Sequence, residues 1–241
     1  MGTMLRPVAM VSMLACAGVA CAQTQPQALT LHYQDRPPYS SAGPGGAVEG
    51  LVATPAAAAL TSAGIPFEWQ LTPSQRQLAL IQSGRGLQCG VGWFRNPERE
   101  ARGRFSGALY QDKPFAALVR LDAPIVSRRA VTELLAQPQP RLLVKEGYSY
   151  GAFLDRLIAG MPTAPVRASV DPPQMARMLQ AGRADWMLVA PEEADALLLP
   201  GLRLIEFSDM PLGPSRHLYC SEDVPAAWIE RIDRALAPGR R

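Results

Sequence analysis

The regular alternation of strand-like and helix-like segments, in short steps punctuated by Gly and Pro, constrains this chain more than any other feature. Leu29–Tyr33 alternates apolar and polar positions and predicts a strand, which Pro37-Pro38 prevents from running into a helix. A Gly-rich loop over 40–50 follows, then an Ala-rich helix over 51–63 stopped by Gly64. Residues 65–70 predict a second strand with Phe67 and Trp69 on one face. Thr72-Pro73 caps a further helix with Leu78 and Ile81 on its core side and Gly84 as its stop, and 87–93 is the third strand. Parallel strands need long connections, so three parallel strands with crossover helices are expected.

The same rhythm restarts after Pro114. Strands are expected over 115–121, 141–144, 166–170, 185–189 and 202–207, with helices over 131–136, from Tyr148-Ser149 to Ile158, from Asp171-Pro172 to Gly182, and over 192–198. A last strand around His217 to Cys220 and a terminal helix over 225–236 close the chain. No internal sequence repeat accompanies the repeated rhythm.

The first 22 residues read as an export signal. Arg6 supplies the positive start, 7–19 is apolar but too short to span a bilayer, and Ala20-Cys21-Ala22 is a small-x-small cleavage pattern. Removing 22 of the 241 residues leaves 219, beginning at Gln23 and expected in a periplasm. A retained anchor is one alternative. Lipidation at Cys16 or Cys21 is another, although Met13 and Gly18 fit that signal poorly. The formal charge is +3, the only lysines are Lys113 and Lys145, and no basic block is interleaved with aromatics, so nucleic acid is not an expected partner. The mature chain keeps Cys89 and Cys220, either bridged or buried as two strand thiols.

Residues 89–106, CGVGWFRNPEREARGRFS, hold the densest chemistry. A strand runs into Gly92-Trp93-Phe94, Asn96-Pro97 opens a short helix, and Arg99 lies in its first turn. A guanidinium pairs with carboxylate oxygens two at a time, which fits a small carboxylate ligand. Arg99 has a surface ion pair with Glu98 or Glu100 as its alternative, and Trp93 and Phe94 are either a ligand wall or core plugs. Tyr148 and Ser149 precede a helix whose N-terminal amides form an anion site if they face the same cleft, or else they simply cap it. Enzyme chemistry has little to stand on. His32 and His217 are far apart in strands without triad order or metal spacing, which leaves Glu49 and Glu192 as candidate cleft acids. No metal or cofactor is expected.

Taken in order, Arg36-Pro37-Pro38-Tyr39, Gly50, Leu80-Ile81-Gln82-Ser83-Gly84, Pro97-Glu98-Arg99 ahead of Phe105-Ser106 and Tyr110, and Gly182-Arg183-Ala184-Asp185 resemble a known family. It is the bacterial extracytoplasmic solute-binding proteins of family 3, receptors for amino-acid-type importers. The resemblance covers nearly the whole mature chain. It implies an α/β, bilobed, type II periplasmic-binding-protein-like fold, with lobe one at 23–110 plus 213–241 and lobe two at 111–212, joined by two crossing segments. In that topology the strand returning from lobe two lies beside strand three, which implies a Cys89–Cys220 disulfide. The resemblance gives Arg99 the ligand carboxylate and places Trp93, Phe94, Tyr39, Tyr148 and Ser149 around it. It implies a monomer that binds a small-molecule ligand and docks on ABC-transporter membrane subunits.

The departures redirect the ligand. Where the family holds an ammonium group with an acidic residue, this chain has Ala190 followed by Pro191, and Glu192 and Glu193 read as an exposed helix face. Phe94 and Asn96 stand near positions that carry hydroxyls in the family. The expected ligand is therefore a carboxylate-bearing solute, amino-acid-like or aromatic, and the chain is expected not to be an enzyme. The alternatives are a dehydratase-like enzyme on the same fold and a ligand-free sensor or interaction module, whose partner would be a separate protein.

Overall fold

The computed structural model describes residues 1–2 and 27–237. The expected signal segment lies, beyond its first two residues, outside the described residues. β1 (Leu29–Tyr33) leads through a small hairpin, β2 (Ser41–Ala42) and β3 (Val48–Glu49), into α1 (Ala53–Ser62). There follow β4 (Phe67–Leu71), α2 (Ser74–Gln82), β5 (Gln88–Trp93), α3 (Pro97–Glu100) and β6 (Arg104–Gln111). After a crossing segment come β7 (Ala116–Arg120), α4 (Val131–Leu135), β8 (Leu142–Lys145), α5 (Ala152–Ala159), β9 (Val166–Ala168), α6 (Pro172–Gln180), β10 (Trp186–Val189), α7 (Ala194–Leu197) and β11 (Leu202–Ile205). The chain then returns as β12 (Ser215–Cys220) and ends in α8 (Ala226–Leu236).

The strands form two five-stranded sheets, in the orders β4-β1-β5-β12-β6 and β11-β7-β10-β8-β9. In the first sheet β1 runs parallel to β4 and β5, as the crossover helices require, and β12 lies antiparallel between β5 and β6. That register sets Cys220 opposite Cys89, and the two form a disulfide.

Period-two alternation divides the core. Leu29, Leu31 and Val91 face α1 and α8, whereas Phe105 and Tyr219 face α2 with Ile81; Trp93 joins the second group although it lies two residues after Val91, because Gly92 between them adopts φ 81° and interrupts the alternation. In the second sheet Leu118, Leu143 and Met187 pack on α6, while Val119, Leu142 and Trp186 meet α4 and α5. Each such Leu or Ile contributes about 1.5–3 kcal/mol by leaving water. In the second sheet both faces are covered, which is why β7, β8 and β10 read as nearly continuous apolar runs. No helix among the described residues is long and apolar enough to cross a membrane.

Three local expectations needed revision. β6 is a full edge strand, hidden in the sequence by Gly107 and by ladder irregularities opposite Arg216 and His217. Thr72 does not cap α2, because its hydroxyl hydrogen-bonds His32 Nδ1 at 2.9 Å instead. The 40–50 loop contains the β2–β3 hairpin, whose exit at Gly50 adopts φ 133° and lies so close to the carbonyls of Pro38 and Tyr39 that a Cβ would overlap them. Glycine there lets Leu51 and Val52 donate to those same carbonyls, at 2.9 and 3.1 Å, fixing the loop that carries Arg36.

The two crossing segments touch each other. Asp112 N donates to Pro214 O at 3.2 Å and the Gln111 amide to Gly213 O, at a point where a Cβ on Gly213 would collide with the Asp112 and Lys113 carbonyls.

Candidate functional site

Parallel α/β sheets gather chemistry outside the carboxyl ends of their strands. Both sheets here present that edge to a common cleft. Arg36 lies just past β1, Arg99 just past β5, Lys145 ends β8, and Glu193 follows β10. Arg216 joins them from the start of the antiparallel β12.

Each cation has a distinct environment. Arg36 Nε and Nη2 donate to Glu193 Oε1 and Oε2, both at 2.6 Å, with the guanidinium over the rings of Tyr39 and Tyr148 at 5.2 and 5.5 Å. Arg216 makes a second two-point pair, with Asp112 at 2.7 and 2.6 Å, and is sandwiched between Tyr39 at 3.8 Å and Phe94 at 4.6 Å. Burial pushes the Asp112 carboxyl up even though Arg216 opposes the shift.

Arg99 and Lys145 are different. Asn96 caps α3 by accepting from Arg99 N at 2.8 Å, which fixes the start of that side chain. Arg99 Nη1 then donates to Phe94 O at 2.9 Å and Nη2 crosses to Gly147 O at 3.0 Å, with the guanidinium 4.8 Å over Trp93. Burial holds it below the ordinary guanidinium range. Lys145 Nζ donates to Tyr148 OH at 3.2 Å and lies 4.3 Å over that ring. The two residues are 5 % and 6 % exposed, and neither forms an ion pair among the described residues.

The cleft holds two adjoining concavities of about 330 and 460 Å³, counting their open mouths. Arg99 and Trp93 line the smaller and Lys145 and Ala190 the larger, while Arg36, Phe94, Tyr148, Ser149 and Arg216 are shared. Five of the six residues expected around a ligand, Arg99, Trp93, Phe94, Tyr148 and Ser149, therefore converge. Tyr39 lines neither concavity; it is buried beneath Arg216 and donates to Glu192 at 3.4 Å.

The side chains are also more committed than expected. Trp93 gives its indole N–H to Gln77 at 3.0 Å and packs with Phe105 and Tyr219, so one ring serves both core and cleft wall. Tyr148 donates to Gln34 across the cleft at 3.0 Å. Burial would raise its hydroxyl, but Arg36 and Lys145 outweigh that and hold it below the usual tyrosine range. The turn ahead of α5 is held by the protein itself, since the Asp155 carboxylate takes Tyr150 N at 2.7 Å and the Ser149 hydroxyl, which in turn accepts from Gly151 N.

Glu192 and Glu193 do not sit on an exposed helix face. Pro191 turns both inward: Glu193 is 4 % exposed against Arg36, and Glu192 accepts from Tyr110 OH at 3.0 Å and Lys113 N at 2.9 Å on the crossing segment. Those contacts hold the Glu192 carboxyl below its ordinary value, against the upward push of burial. Arg36, Arg216, Lys145 and Asp112 were missed as site residues. Their signal was positional, the strand end rather than any motif. His32 and His217 are buried strand residues that line neither concavity, and Glu49 is exposed on β3.

No family model matches the sequence, and no curated protein does. Solved structures do. A substrate-binding protein of an amino acid ABC transporter superposes with a TM-score of 0.67 at 17% identity, over 87% of this chain and 91% of that one. The fold is that of the periplasmic binding proteins. An ancestral arginine-binding protein bound to arginine matches with TM-score 0.67 and 16% identity, over 87% and 90% of the two chains. A histidine kinase sensor domain similar to periplasmic binding proteins matches equally, at 0.67 and 17%, over 87% and 88%. In this binding-protein fold, the cleft between the sheets described above is the ligand position to consider first.

Proposed function

We propose that this chain is a periplasmic solute-binding protein that captures a small carboxylate-bearing molecule between two lobes. Lobe one comprises 23–110 plus 213–241 and lobe two 111–212. The observation that carries this is the convergence of buried cations from both sheets on one cleft, with Arg99 and Lys145 lacking any acidic partner among the described residues. Arg99 is assigned the ligand carboxylate, Trp93, Phe94 and Tyr148 the walls, Ser149 the lobe-two rim, and Tyr39 the support behind Arg216. The family resemblance adds a cleaved signal over 1–22, a monomeric receptor and delivery to the membrane subunits of an ABC importer. Two of the matched structures, the substrate-binding protein of an amino acid ABC transporter and the arginine-binding protein, support the solute class.

The mechanism is closure about the two crossing segments. A ligand that touches both lobes stabilises the closed population, and closure removes water from around its carboxylate and strengthens the pairing. The test is calorimetry and thermal shift with a panel of small carboxylates at matched ionic strength, alongside native mass spectrometry of protein purified from its own periplasm. Saturable binding that Arg99→Met weakens at least tenfold is expected. Saturable binding untouched by Arg99→Met would remove the site assignment.

One observation favours a second reading as a ligand-free interaction module. The cross-cleft bonds Arg36–Glu193, Tyr148–Gln34 and Arg99–Gly147 are all satisfied by the protein itself. That reading predicts no saturable shift with any small anion.

A further inference from the structure

Resting on the solute-binding proposal, we infer that the cleft selects a dianion: two carboxylates on a short carbon chain, with no ammonium group. The argument is a charge ledger of the cleft, resolved by atom. Arg36 and Arg216 each have their guanidinium fork filled by a carboxylate of the protein, Glu193 and Asp112 respectively, and each of those pairs is two-pointed. Two cations are left over. Arg99 uses two of its five N–H groups, both on backbone carbonyls, and Lys145 uses one of three, on a tyrosine hydroxyl. Asp155, held by the Ser149 hydroxyl and Tyr150 N, acts on Arg99 without forming an ion pair with it. Two buried cations without a directly paired acid are costly to desolvate, and a bound group with two negative charges can pair with both where a single carboxylate pairs with one.

The same ledger argues against an ammonium group. Both oxygens of Glu193 and of Asp112 are already held by guanidinium, and those of Glu192 are held by Tyr110, Lys113 N and Tyr39. Ala190 lines the larger concavity at the place where the resemblance expects an acid. A zwitterion would therefore bring its positive end into a cleft whose nearby carboxylates, Glu193, Asp112, Glu192 and Asp155, are all already held by the protein. The geometry fits the two-ended ligand, because Arg99 lines one concavity and Lys145 the other, and the wall they share includes Phe94 and Tyr148. Aromatic walls between two cationic ends match methylene groups between two carboxylates.

The test is titration calorimetry of the wild-type protein at fixed ionic strength with succinate, glutarate, adipate, butyrate and glutamate. At least one diacid is expected to bind tenfold or more tightly than both butyrate and glutamate. Lys145→Met should collapse the ratio of best diacid to butyrate to within about twofold of one, and Lys145→Arg should keep it. A diacid preference below tenfold, or a ratio that survives Lys145→Met, overturns the inference while solute binding stands. Absence of heat and of thermal shift with all five compounds overturns both. Because the wild-type comparison needs no variant, failure of Lys145→Met to fold leaves the test decisive.

Discussion

Glu193 holds Arg36 by both carboxylate oxygens at 2.6 Å, and the pair joins the loop after β1 to the turn after β10 across the cleft. Arg216 is filled in the same two-point way by Asp112. The protein therefore carries internal occupants for two of its four cleft cations, and of the two pairs this one ties the end of a first-sheet strand to the end of a second-sheet strand. Its side chains are 18 % and 6 % exposed, buried enough for loss of one partner to be costly.

Glu193→Gln tests that contact. It leaves the Arg36 guanidinium buried between Tyr39 and Tyr148 without its counter-charge, so a loss of about 2–3 kcal/mol is expected, toward the lower side for a buried pair because Arg36 keeps some exposure. Urea denaturation measures the loss, and small-angle scattering of the unliganded variant should show a larger radius of gyration than wild type. An unchanged midpoint and radius would show that the pair contributes neither stability nor closure.

The repeated strand–helix rhythm made the fold legible, since period-two and helical periodicities encode which side of each element is buried. The partnership of Cys89 with Cys220 was implied by the family resemblance, whose topology lays the return strand beside strand three, and the disulfide is present. The site was only half legible. Arg99 was marked by its Asn96-Pro97 turn, but Arg36 was legible only as the start of the Arg36-Pro37-Pro38-Tyr39 run and Arg216 not at all, because what makes each a cleft residue is an acid 157 and 104 positions away. Glu193 was hidden for the opposite reason: Pro191 and two glutamates look like the start of a solvated helix, and that the Pro191 turn points inward depends on where β10 ends between β7 and β8.

Acidification should weaken the first sheet through its histidines. His32 is fully buried between Thr72 and Gln88, His217 is hydrogen-bonded to Ser106 O at 2.9 Å, and burial is the main cause that holds each imidazole below its ordinary value of 6.5. A base with a depressed native pKa binds fewer protons folded than unfolded, so stability falls as pH drops below about 6.5 and is insensitive to these groups above about 7.5. The two together give a slope of at most about 2.7 kcal/mol per pH unit. Urea midpoints between pH 5 and 8 check this, and His32→Gln should flatten part of the acid limb. Equal stability at pH 7 and pH 5.5 would contradict it.

The Cys89–Cys220 disulfide closes a loop of 131 residues that contains the whole second sheet. Both sulfurs are fully buried, so reductant should act only after unfolding. Loop-closure entropy for such a span puts the cost of Cys89→Ala with Cys220→Ala at about 3–5 kcal/mol. Thermal melts with and without reductant measure it. A melting temperature that matches wild type would mean that β5–β12 pairing alone sets the stability of the return strand.

Gly147 is the residue whose change should most directly separate closure from folding. It adopts φ 69°, its carbonyl accepts from Arg99 Nη2 at 3.0 Å, and a Cβ placed on it would overlap the side-chain amide of Gln75 from α2, which itself donates to Glu146 O. Gly147→Ala thus carries two penalties. One is local, about 1–2 kcal/mol for a left-handed backbone on an L-residue, and it weakens the second sheet whether or not the lobes are closed. The other is the overlap with Gln75, which exists only when the lobes meet; the exposed amide can swing aside at the cost of its bond to Glu146 O, so it should appear as a loss of about 0.5–1.5 kcal/mol in ligand binding, roughly two- to tenfold in affinity. Gln75→Ala removes that overlap. In a double-mutant cycle, Gln75→Ala should restore most of the affinity lost in Gly147→Ala while leaving its lowered melting temperature unchanged. Strict additivity of the two substitutions in ligand affinity would show that Gly147 and Gln75 do not meet during closure.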